Sequence, residues 1–211
     1  KMLSEWDLDL ERSTHQRDKI KRRALALLTH LYAWKLRWDG DATNSYSETS
    51  AATSRLPKIG ESWGSGSPPF LTTFEFSNGS AATMLMFYNT TLIYVLRVLA
   101  SLPLPLETLG LRSSQSVRET MHDAEHLDNL WRLSKHDYLA AERLAALEVC
   151  RCVPFDLDQK SRLDSCVSPI GHWAVTTAWK TLRGIESAEG RWMIELLNMN
   201  NREAVAKGLW A

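Results

Sequence analysis

Apolar residues recur at steps of three and four through most of the chain, the spacing that lines up one face of an α-helix. From Arg12 to Trp38 the series Ile20, Ala24, Leu27, Leu28, Leu31, Trp34 and Trp38 predicts a long first helix, with Ser13 or Thr14 as N-cap and Gly40 ending it. Ser80 to Leu102, SAATMLMFYNTTLIYVLRVLASL, is apolar nearly all round and predicts a central buried helix. Its length would also suit a bilayer, but Asn89, Thr90, Thr91 and Arg97 are costly in hydrocarbon, so no membrane span is expected. A further helix is expected from Ser113 or Ser114 to about Ser134, and another from Asp137 that closes at Cys150-Arg151-Cys152. Ser134-Lys135-His136-Asp137 has capping-box spacing with a carboxylate in its last place. Ile170-Gly171-His172 leads the next helix, Ser187 precedes another that opens with Glu189, and a short helix from Ala204 to Leu209 finishes the chain. The pattern predicts an all-α fold: one helical, bundle-like domain over residues 1–211 with six or seven helices.

Two stretches interrupt the pattern. Asp41 to Gly79 is rich in Ser, Thr, Gly and Pro, as in SYSETSAATS and SWGSGSPPF, and reads as a mobile loop or insert with little core of its own. Phe70 to Phe76 alternates only partly, so it adds a strand or covers the helices without predicting a sheet. The second interruption, SLPLPLETLG from Ser101 to Gly110, is a connection, because neither Pro103 nor Pro105 suits a helix interior.

Charge narrows the partners. Lys and Arg number 25, as do Asp and Glu, so the formal charge is zero and the chain by itself is a poor binder of nucleic acid. Lys19-Ile20-Lys21-Arg22-Arg23 reads as the solvated side of the first helix, with an import signal or phosphate contact as the alternative. Three Cys, at 150, 152 and 166, make no even disulfide framework and indicate a reducing setting, so an intracellular location, nuclear or cytoplasmic, is expected, the nucleus only as the family resemblance given below implies it. The first residues have no apolar run of the signal-peptide kind.

The sharpest chemical pattern is His122-Asp123-Ala124-Glu125-His126, which fits the inverted zinc-peptidase spacing His-x-x-Glu-His. Histidines four apart on a helix can share a zinc ion, with Glu125 activating its water. At about 100° per residue, however, His122 and His126 fall opposite the stripe of Val117, Met121, Ala124, Leu127 and Trp131. A polar helix face is therefore the favoured reading, with metal binding by His122, Glu125 and His126 as the alternative. Cys150 and Cys152, two apart, are read as one buried and one exposed thiol. Glycine-rich phosphate loops, acidic metal clusters and nucleophile elbows are missing from the sequence, so no cofactor is expected.

The stretch from Leu147 to Leu197 resembles a known family. Its order is Cys150-Arg151-Cys152 at a helix end, a loop, a Gly171-led helix, then Glu189, Arg191 and Trp192 opening the next. This order is similar to the C-terminal half of the regulatory domain in fungal transcription factors of the zinc binuclear cluster type. Phe87-Tyr88-Asn89, before an apolar run with Arg97, resembles the aromatic-Tyr-Asn helix of that family. The likeness extends loosely back to Arg17. It implies a helical, effector-sensing domain that binds a small hydrophobic metabolite or a protein partner. The family's six-cysteine cluster is not in this sequence, so direct DNA reading is not implied. Trp34, Trp38, Tyr88, Trp173 and Trp179 are the rings chosen to line an effector site between helices. Two other uses of such a fold stay open. One is a biosynthetic isomerase or cyclase with His122, His126, His136 or His172 as acid or base. The other is a homodimerisation module.

Overall fold

The computed structural model describes residues 2–50, 69–102, 133–163 and 169–199. Among these it is mostly helical. The helices are α1 (Met2–Asp39), α2 (Gly79–Ser101), α3 (Lys135–Leu163), α4 (Pro169–Thr181) and α5 (Ala188–Met199). The described residues thus hold five α-helices where six or seven were expected. The expected helix carrying His122, Glu125 and His126, and the one from Ala204 to Leu209, lie outside the described residues.

The all-α expectation is corrected by a small antiparallel sheet, β1 (Tyr46–Ser50) with β2 (Thr72–Phe76), in which Tyr46 faces Phe76 and Ser50 faces Thr72. Both strands lie in the stretch read as a loop. Its polar composition hid them because β1 has no fully buried residue, only Tyr46 and Thr49 being half-buried, whereas Phe70, Phe74 and Phe76 are buried. Asp41 starts a short 3-10 turn, Ala42–Asn44, by accepting from the Thr43 amide at 2.9 Å. Asn78 then caps α2, its Oδ1 accepting from the Ala81 amide at 2.8 Å.

The capping box before α3 is present in both directions. The Ser134 amide donates to Asp137 Oδ2 at 2.8 Å, and the Asp137 amide to Ser134 Oγ at 3.3 Å. Three boundaries and faces differ from expectation. First, α1 begins well before Ser13 and Thr14, because Glu, Leu and Arg continue the helix upstream with no Gly or Pro to stop it. Second, α3 passes through Pro154 and does not end at Cys152. Proline removes one helical donor, at about 3 kcal/mol. Burial of Val149, Cys150, Cys152, Val153, Phe155 and Leu157 on either side offsets that cost. Third, α1 buries Ala24, Leu25 and Leu28, which turns Ile20 and Leu27 outward.

In α2, Ala81, Ala82, Leu85, Met86, Ile93 and Leu96 are buried, whereas Met84, Phe87, Tyr94 and Val98 are exposed. By length and composition α2 could cross a membrane, yet 61% of its most apolar window is buried inside the fold. The turn from α4 to α5 depends on glycine. Arg183 (φ 66°) and Gly184 (φ 57°) are left-handed, and a Cβ on Gly190 would stand 2.0 Å from the Gly184 carbonyl oxygen. Ser187 Oγ accepts from the Gly190 amide at 2.9 Å and starts α5.

The fold divides into two compact units. One comprises Lys1–Trp34 with Tyr94–Ala141, the other Lys35–Ile93 with Glu142–Ala211.

Candidate functional site

In the second unit, polar groups from α1, both strands, α2 and α3 lie beside an aromatic layer. The layer begins on α1 and continues through the hairpin. Trp38 and Tyr46 have centroids 6.0 Å apart, Tyr46 meets Phe74 edge-on at 4.9 Å and Phe76 at 5.4 Å, and Phe76 reaches Phe155 of α3 at 5.3 Å.

Glu148 of α3 is the polar centre. The residue is half-buried, with its carboxylate end enclosed, and Asn89 Nδ2 of α2 donates to Glu148 Oε2 at 3.1 Å. Loss of water around the carboxylate raises its pKa above the usual carboxyl value. The Asn89 bond and the Lys35 and Arg151 charges pull the other way, and Asp39 adds to the rise. Asn89 is 1% exposed and sits in an apolar run, so the Glu148 bond is what makes its burial tolerable. The Tyr46 hydroxyl is pushed up to about 12, first by burial and then by Glu148 and Asp39.

Two cations border this centre. Lys35 Nζ is held by Asp39 at 2.6 and 2.7 Å and lies over the Trp38 and Tyr46 rings, 5.1 and 5.7 Å from their centroids. Arg151 ties α3 to the hairpin. It donates to the Thr72 carbonyl (3.1 Å) and Thr72 Oγ1 (2.6 Å), pairs with Glu48 at 2.8 Å, and stacks on Phe74 at 4.0 Å. Thr72 Oγ1 in turn donates to Glu48 Oε2 at 2.9 Å.

The thiols beside this network differ from expectation, since Cys150 and Cys152 are both fully buried. They face different covered sides of α3. Cys150 feels Glu189 of α5, and Cys152 feels Glu148 and Asp156. Burial is the largest cause that pushes both thiols up, so neither is available as a thiolate nucleophile. Among the described residues no group of three His, Cys, Asp or Glu could hold a metal ion.

The rings singled out from sequence are dispersed among separate neighbourhoods. Trp38 is buried beside Tyr46, and Tyr88 is buried in α2. Trp173, 38% exposed on α4, lies 5.9 Å from Phe87 of α2. Trp179 packs so closely on Gly184 that a Cβ there would meet its ring at 2.6 Å. Trp34 is half-buried and belongs to the other unit. His136 is exposed at the start of α3 and His172 half-buried on α4, and neither bonds to the Glu148 network. The members that sequence reasoning missed are Lys35, Tyr46, Glu48, Thr72, Asn89, Glu148 and Arg151. A signal for two of them existed: Asn89 interrupts an apolar run, and Glu148 sits between Leu147 and Val149.

No protein-family model matches the chain, and neither a curated protein nor a solved structure does.

Proposed function

We propose that this chain is a helical effector-binding regulatory domain that takes a small ligand with an apolar body and a cationic or hydrogen-bond-donating end. The observation that carries this reading is the desolvated Glu148 carboxylate, bonded to Asn89 and near enough to Tyr46, whose ring meets Trp38, Phe74 and Phe76, to push up its hydroxyl. A buried carboxylate with a raised pKa is costly in a domain that only packs, and such groups concentrate at binding and catalytic sites. The arrangement supports binding over covalent chemistry, because the neighbouring thiols are buried, which disfavours their thiolate forms, and no histidine among the described residues bonds to the network. The rings supply apolar area, and Glu148 supplies an acceptor for one polar end. Such a role agrees with the resemblance of Leu147 to Leu197 to fungal transcription-factor regulatory domains, and we propose with it a nuclear or cytoplasmic setting.

Thermal shift with phenethylamine and with phenylacetate, two probes of one shape and opposite charge, tests this reading. Phenethylamine is expected to raise the melting temperature of the wild type and to lose that effect in Glu148→Gln. An equal response of both proteins to the amine, or no response of the wild type to either probe, overturns it.

A further inference from the structure

Near its end, α1 breaks two local rules. Asp39 is the last residue of the helix, where the helix dipole disfavours a carboxylate. Lys35 lies four residues before it, and an ion pair of this spacing is better with the acid first. The pair is tight all the same, with Lys35 Nζ on the two Asp39 oxygens at 2.6 and 2.7 Å. Helix stability alone does not select this arrangement, and departures from local rules collect at functional sites.

Tertiary contacts supply what the helix does not. Only 17% of the Lys35 side chain is exposed, and its ammonium lies 5.1 Å from the Trp38 centroid and 5.7 Å from that of Tyr46. Those two rings are 6.0 Å apart and inclined at 36°, close enough for one cation to lie over both. Burial raises the Glu148 carboxyl, and the Asn89 bond and then the Lys35 charge oppose that rise, so the ammonium is within electrostatic reach of Glu148 too. Aromatic rings around a cation are also how proteins take up alkylammonium ligands.

Arg151, the other cation bordering Glu148, is committed to Thr72, Glu48 and Phe74. When Lys35 swings out on its flexible four-carbon stem, Asp39 and Glu148 lose its charge, and the Trp38 and Tyr46 rings lose their cation. A ligand ammonium restores both, whereas a ligand carboxylate adds a like charge. Lys35 and the ligand cannot share the place, because like charges repel and both need the same rings.

Building on the effector reading, we infer that Lys35 is a built-in occupant of the effector site, and that the effector carries an alkylammonium group which displaces Lys35 from Trp38, Tyr46 and Asp39. The ligand's polar end is thereby a cation, and Lys35 is its competitor.

Isothermal titration calorimetry with phenethylamine, on the wild type, Lys35→Met and Lys35→Gln, is the test. Both substitutions keep an unbranched stem and remove the charge. A tethered cation that fills the site about nine-tenths of the time weakens ligand binding about tenfold. Each variant is therefore expected to lower the Kd for the amine about tenfold, with no such gain for phenylacetate. A Kd unchanged or raised in both variants, with the wild type binding, overturns the inference and leaves the effector reading standing. Binding by none of the three proteins overturns both. Displacement is also read in the unaltered protein, by acylation with an N-hydroxysuccinimide ester and peptide mass spectrometry. The added ligand is (2-phenylethyl)trimethylammonium, which has no N–H to react. At saturation it is expected to speed acylation of Lys35 at least about threefold and to leave exposed Lys180 unchanged. Equal Lys35 rates with and without bound ligand overturn the inference, whether or not the variants fold.

Discussion

At the residue scale, Glu148 links packing to proton binding. Burial raises its pKa, so the folded state holds this proton more tightly than the unfolded chain does. Its contribution to stability is therefore present in full below the ordinary carboxyl pKa and is lost as pH rises through that value toward the folded one. Glu148→Gln keeps an acceptor for Asn89 but cannot ionise. In urea unfolding between about pH 4 and about pH 8, the wild type is expected to lose stability as pH rises in a way the variant does not. Parallel pH profiles for the two proteins contradict the assignment. Gly190 is constrained by space instead of charge, because a Cβ there would meet the Gly184 backbone at 2.0 Å. Gly190→Ala is expected to cost about 3 kcal/mol or more, read as a lower urea midpoint, since backbone cannot yield as a flexible side chain does. An unchanged midpoint would show that the turn can move aside. Gly190 was not legible beforehand and Glu148 only as a carboxylate set between Leu147 and Val149, because helical periodicity marks a position as inward or outward and cannot name the atom it will meet.

At the element scale, the hairpin shows what the pattern of apolar residues can miss. Phe74 and Phe76 of β2 are buried and Thr73 is too, so inward residues do not simply alternate, and β1 offers only Tyr46 and Thr49 as half-buried positions. Two such strands are marginal alone. Arg151 of α3 holds them by two bonds to Thr72, a pair with Glu48 and a stack on Phe74. Arg151→Ala is expected to destabilise by about 2 to 3 kcal/mol, and Arg151→Lys to recover little, because an ammonium cannot fork to two acceptors and stack on a ring. Hydrogen exchange is the discriminating measurement: protection should fall first in Tyr46–Ser50 and Thr72–Phe76. Uniform loss across the helices would remove the clamp role. The capping box was legible because its partners are three residues apart. Arg151 and Thr72 are 79 apart, and no local signal connects them.

At the scale of the whole molecule, burial of both Cys150 and Cys152 provides a probe of opening. In a Cys166→Ser background, the two thiols are expected to react with a disulfide reagent together, at a rate set by the unfolding equilibrium measured in urea. Fast labelling of either thiol in the folded protein would contradict the burial. The sequence alone determined the helical class, the course of α2, α4 and α5, the capping box and the neutral charge balance, since propensity, periodicity and capping act within a few residues. Tertiary structure alone decided the β1–β2 pairing, the passage of α3 through Pro154, the outward turn of Ile20 and Leu27, and the gathering of Lys35, Tyr46, Asn89, Glu148 and Arg151. These depend on which surfaces meet between residues far apart in the chain. Burial and desolvation there outweigh local preference and choose which polar groups must find one another.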